Sequence, residues 1–88
     1  MNKVEKYLID KGYEPILKGF DYTVFAVELI REDRKYKENL CNLLYPTIAE
    51  KFKTSASKVE RAIRHFKQKH FKMNNGNFIA FVELETRN

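Results

Sequence analysis

Apolar residues recur at three- and four-residue spacing along nearly the whole chain, the signature of amphipathic helices. Val4, Tyr7 and Leu8 share a face of a short helix over residues 3–11, and Gly12 suits its end. Residues 13–19 hold Pro15 and Gly19 and read as a connector. A second helix runs over about 20–32, with Tyr22, Phe25, Ala26, Leu29 and Ile30 at core spacing. After a charged turn, a third helix covers roughly 38–44, with Leu40, Leu43 and Leu44 inward.

Pro46 lacks an N–H and restricts Tyr45, so the third helix should stop there. Proline also favours the first position of a new helix, and a fourth follows over 46–52 with Ile48, Ala49 and Phe52 inward. A tight connection at 53–56 leads into a fifth helix over about 55–71. Thr54 or Ser55 suits its N-cap, and Ser57 with Glu60 also fits a capping box. Residues 73–77 form an Asn- and Gly-rich turn. The stretch 78–85 suits a helix or a strand. Helix is favoured, because Asn77 is a good N-cap and no segment reads as a partner strand. The expected fold is all-α, a compact domain of five to six helices.

A short helix, a tight turn and a longer helix over about 45–71 form a helix-turn-helix. Ala49 suits the close contact between its two helices, and Ile48 and Val59 suit the space between them. Lys53 stands where glycine often makes the turn. On the fifth helix, Val59, Ala62, Ile63, Phe66 and His70 fall within an arc about 100° wide, a core-facing stripe. Ser57, Arg61, Arg64 and Gln68 lie opposite, flanked by Lys58 and His65.

Charge sharpens this picture. Residues 51–72 carry eight basic residues and one acid, whereas the rest of the chain is mildly acidic. A basic stripe on an acidic body suits either a polyanion partner or a solvated lysine-rich face. In a helix-turn-helix the second helix enters the major groove of DNA. Arg pairs bidentately with guanine, and Glu60 accepts from cytosine N4 or caps its helix. Lys51, Lys53, Lys67 and Lys69 suit phosphates, joined by Ser55 and Ser57.

Length and composition exclude much else. The chain has 88 residues, 43% of them apolar, enough for one domain over 1–88 and too few for a Rossmann or kinase core. It has no apolar run of roughly 18 residues, no signal-type segment and one cysteine, which together point to a cytoplasmic protein with no membrane partner. Cys41, among leucines, is expected to be a buried structural thiol. His65 and His70 lie about 140° apart on a helix and do not form a metal pair. Glu83 and Glu85 read as solvated surface. No catalytic residue, metal or cofactor is expected.

The run LLYPTIAEKFKTSASKVERAIRH, residues 43–65, resembles the helix-turn-helix of the C-terminal effector domain of the stage-zero sporulation response regulator. GYEPILKGFDYTVFAVELI at 12–30 and FIAFV at 78–82 are similar to that family's opening segment and last helix. The resemblance implies a six-helix domain that regulates transcription from short, often tandem DNA sites. It implies base contacts from Glu60 and Arg61, and base or phosphate contacts from Arg64 and His65. Lys58 stands where the family has Arg, exchanging a planar fork for a point charge. The chain departs from the family pattern in three ways. The 88 residues hold no receiver domain, as expected either of a cut-out fragment or of a stand-alone protein without phosphorylation control; only residues 72–77 bridge to the last helix; and the opening Pro15 is shifted by one residue.

The site expectation is therefore Lys58, Glu60, Arg61 and Arg64 on bases. Lys51, Lys53, Ser55, Ser57, His65, Lys67 and Lys69 are expected on phosphates. The expected partner is double-stranded DNA, with RNA polymerase or a related regulator as a second partner. The expected state is a monomer in solution that pairs on tandem sites. The alternative is a protein-interaction module that modulates a full-length regulator or polymerase without reading DNA.

Overall fold

A computed structural model describes residues 2–68 and 72–87. Those residues form helices and connecting turns, with no strand among them. The all-α expectation holds, and the ambiguous closing stretch is a helix.

Helix α1, Lys3–Asp10, starts from a reciprocal cap. Asn2 Oδ1 accepts from the Glu5 N–H at 2.8 Å, and the Asn2 N–H donates to Glu5 Oε1 at 2.9 Å. Gly12, at φ 92°, takes the left-handed turn that ends it. Helix α2, Lys18–Glu32, begins two residues before the expected start, so Gly19 is a helical residue and not part of a connector. The space there explains its identity. A Cβ on Gly19 would sit 2.3 Å from Phe66 Cβ and 2.7 Å from the Ala62 carbonyl oxygen.

The expected regular third helix is instead two pieces. One turn, α3 (Lys35–Glu38), breaks at Asn39, whose side chain accepts from the Asn42 N–H. A wide π-helical turn, Leu40–Leu44, then runs straight into α4, Tyr45–Phe52. Pro46 therefore does not impose a stop. It has no N–H to place in an i→i−4 bond, and the backbone meets it widened, with the Tyr45 N–H reaching back to the Leu40 carbonyl. Cys41, on this turn, is exposed and not a buried thiol. Leu44 is buried, while Leu40 and Leu43 are half-buried.

Helix α5, Ala56–Lys67, is capped by Ser55, whose Oγ accepts from the Lys58 N–H at 3.3 Å. The expected continuation over 69–71, with the inward His70, lies outside the described residues. Helix α6, Asn75–Glu85, starts three residues before the expected position. Its N-cap is Asn74, whose Oδ1 accepts from the Asn77 N–H at 2.8 Å.

Helix α2 is the shared wall of the core. Phe20, Ala26, Val27 and Ile30 on it, Val59 and Ile63 on α5, and Phe78, Ile79 and Val82 on α6 are all buried. Phe66 joins these layers, 4.6 Å from the Tyr13 ring and edge-on to Phe20 and Phe78 at 6.1 and 6.3 Å between centroids. Tyr22 and Phe25 of α2 meet Phe52 of α4 edge-on, seating the first helix of the helix-turn-helix on the same wall.

The far end of α6 is held by charge. Glu83, expected at the surface, is only 5% exposed. Arg87 Nη2 and Nε donate to Glu83 Oε1 at 2.7 and 3.0 Å, and Arg31 Nε donates to Oε2 at 3.2 Å. Arg31 Nη2 also donates to the Glu83 carbonyl and to Thr86 Oγ1. The Arg87 hydrogen bonds outweigh burial and, with Arg31, hold the Glu83 carboxyl down to about 2.

Two predictions follow from this packing. Gly19→Ala forces α2 and α5 apart and should cost roughly 1–3 kcal/mol in urea unfolding. Glu83 has its folded pKa below its unfolded value of 4.5. Its contribution is therefore complete above pH ~4.5 and is lost as pH falls towards 2. Because both Arg partners stay partly solvated, the loss should be roughly 2 kcal/mol, and Glu83→Gln should remove that acid-dependent step from the stability profile.

Candidate nucleic-acid interface

The interface begins with a backbone constraint. Lys53, between α4 and α5, adopts φ 55°, ψ 51°, the left-handed conformation that glycine takes without cost. The Thr54 N–H donates to the Ala49 carbonyl at 2.9 Å, closing the turn. Ala49 and Ile48 are buried, and Val59 is buried opposite them. The small and branched residues expected between the two helices do pack there.

With Val59, Ile63 and Phe66 inward, α5 turns its other face to solvent. Lys58, Arg61, His65 and Ser57 are exposed there. Arg64 is also exposed, with a loose ion pair of 3.6 Å to half-buried Glu60. Such a solvated pair is worth only about 0–1 kcal/mol, so it does not bar Arg64 from another partner. Glu60 is anchored through its backbone, since its carbonyl accepts from Asn75 Nδ2 at 3.0 Å. Helix α6 thus touches the inner flank of α5 and leaves the arginine face uncovered.

Of the flanking cations expected on phosphates, Lys51 and Lys53 are exposed near this face and Lys67 is buried. Lys51 is exposed at the end of α4, its Nζ 5.1 Å from the centre of the Phe25 ring. Lys53 is exposed in the turn. Ser55 is exposed, and its hydroxyl is already used as the α5 cap, 3.5 Å from Ser57 Oγ. Lys67 departs from expectation: it is 7% exposed and belongs to the α6 side of the helix, not to the solvated stripe. The 3.6-residue period puts position 67 between the two faces, and the packing of α6 decides which one it joins. Lys69 lies outside the described residues.

The structure adds a residue that sequence inspection placed in a connector. Lys18, at the start of α2, lines one groove with Lys53, Thr54 and Lys58, and a second with Ala62 and His65. No local signal marks it, because its neighbours are some 35 or more positions away in sequence. It extends the basic surface across the N-terminus of α2, which has no side-chain cap.

Residues 4–86 match the family described as sporulation initiation factor Spo0A, C terminal. The chain belongs to this family. The Spo0A C-terminal domain is the DNA-binding effector domain of a sporulation transcription regulator, and the family is not one of enzymes. The match runs through every helix described above and agrees with an exposed cationic face on the second helix of a helix-turn-helix. Among the described residues, no helix is long and apolar enough to cross a membrane.

The strained turn yields a prediction. Lys53→Gly relieves a left-handed penalty of about 1–2 kcal/mol and adds about 0.5–1 kcal/mol of unfolded-chain entropy. Thermal or urea unfolding should show a net gain of up to about 1 kcal/mol.

Proposed function

We propose that this Spo0A-type domain is a sequence-specific reader of double-stranded DNA that inserts α5 into the major groove. The observation that carries this reading is the exposure of Arg61 and Arg64 on the face of α5 opposite its buried stripe. Arg61 and Arg64 read bases, guanine being the natural partner of a guanidinium fork. Lys58 adds a point charge at the same face, and Glu60 accepts from a cytosine amine once Arg64 leaves it. Lys51, Lys53, His65 and Lys18 contact phosphates on either side, and Ser55 and Ser57 lie where the start of α5 approaches the backbone.

The parts have separable roles. Phosphate contacts supply affinity that depends on salt, and base contacts supply discrimination. The buried packing of α5 against α2 holds the reading side chains on a rigid element, so little ordering entropy is spent on binding.

Titration against pooled duplexes at two salt concentrations tests the reading. The three lysine–phosphate contacts, from Lys18, Lys51 and Lys53, predict a slope of log K against log salt of about −3. Arg61→Ala should cost about 1–3 kcal/mol on a selected site and relax preference at one base pair. Absence of binding at low salt would overturn the proposal in favour of a protein-interaction module.

A further inference from the structure

Beside the reading face, a cleft of about 540 Å³ opens between the π-helical turn, α5 and the start of α6. Leu40 and Cys41 form one wall, Glu60 and Arg64 another, and Asn74, Asn75 and Gly76 the third. Buried Tyr45 and Lys67 also line it.

Lys67 is the unexplained group. It is more than nine-tenths buried, yet it has no hydrogen-bond or ion-pair partner among the described residues. The nearby carboxylate of Glu60 is engaged by Arg64. A lysine covered along its stem keeps its charged head where water or an anion can reach it. The Lys67 ammonium is not sealed in, and the cleft is the space that it lines.

The third wall has matching chemistry. Helix α6 is eleven residues long, and its first turn holds no acidic side chain. Asn74 caps the Asn77 N–H, while the Asn75 and Gly76 N–H groups take no partner among the described residues. Free amides at the positive end of a helix favour an anion. Gly76 adds no side chain of its own, and the nearest atom to the place of a Cβ is the mobile end of Leu40.

We propose that this cleft binds a phosphate group, held by the Lys67 ammonium, the first-turn amides of α6 and the Arg64 guanidinium. A phosphate offers acceptors to all three donor types at once. Its arrival draws Arg64 away from Glu60, so occupancy of the cleft changes the pair that faces DNA. The phosphate comes either from a flanking nucleotide of the duplex or from a free phosphorylated ligand.

The test uses the DNA-free chain, titrated with inorganic phosphate against chloride at constant ionic strength and followed by the Asn75 and Gly76 amide resonances. Saturable shifts are expected. Lys67→Met should weaken them at least tenfold, whereas Lys72→Met, which removes an exposed charge outside the cleft, should leave them unchanged. Arg64→Gln should weaken them several-fold and serves as the second variant if Lys67→Met fails to fold. The duplex arm, which alone rests on the DNA reading above, identifies the source. A salt slope about one unit shallower in Lys67→Met assigns the phosphate to DNA. Saturation by free phosphate with an unchanged slope assigns it to a free ligand. Phosphate shifts and salt slope both unaffected by Lys67→Met, or equal effects from Lys67→Met and Lys72→Met, would overturn the proposal.

Discussion

The contact on which everything else depends is the near-touching of α2 and α5 at Gly19. There the backbone of one helix lies against the Phe66 side chain and the Ala62 carbonyl of the other, with no room for even a methyl group. Close approach at that point fixes how α5 is rotated about its own axis. Once Phe66 is locked among Tyr13, Phe20 and Phe78, Val59 and Ile63 must also face inward, because they share its stripe. The outward direction of Arg61 and Arg64 is then a geometric result of where a glycine sits some forty positions earlier.

Local pattern alone makes this face legible in the sequence. The α5 stripe as far as Phe66, the serine cap, the Ala49 contact and the turn at Lys53 are short-range features, and each is where the pattern put it. The inner flank was not legible. Lys67 belongs to a run of lysines and has the same local context as the exposed ones. Only the return of the chain into α6, seven to nine positions further on, separates it from them. Glu83 was hidden in the same way, since an acid at the end of a helix reads as surface until Arg31, 52 positions away, is brought beside it. Cys41 failed for a backbone reason. A regular helix would have turned it among the leucines, whereas the break at Asn39 and the wide turn after it set it outside.

The two buried charged side chains, Glu83 and Lys67, are accommodated in opposite ways. Glu83 enters the interior with its oxygens held by two guanidinium groups, so its ionised form is favoured over the neutral one. Lys67 enters with no such companions and keeps a route to solvent. The first arrangement closes a surface and the second leaves one open. Both are made by α6, which begins beside the reading helix through Asn75 and ends against α2 and the start of the chain.

The grip of Arg31 on Glu83 also bears on how the molecule breathes. A terminal helix ordinarily frays from its free end, since its last carbonyls have little to hold them. Here unwinding the last turn strips a carboxylate of both its cations and breaks the bonds from Arg31 to the Glu83 carbonyl and Thr86. Opening of the final turn therefore costs its contacts with α2 as well as its own backbone bonds. The last turn of α6 is thereby held to the centre of the molecule through Arg31, and not by its own backbone bonds alone.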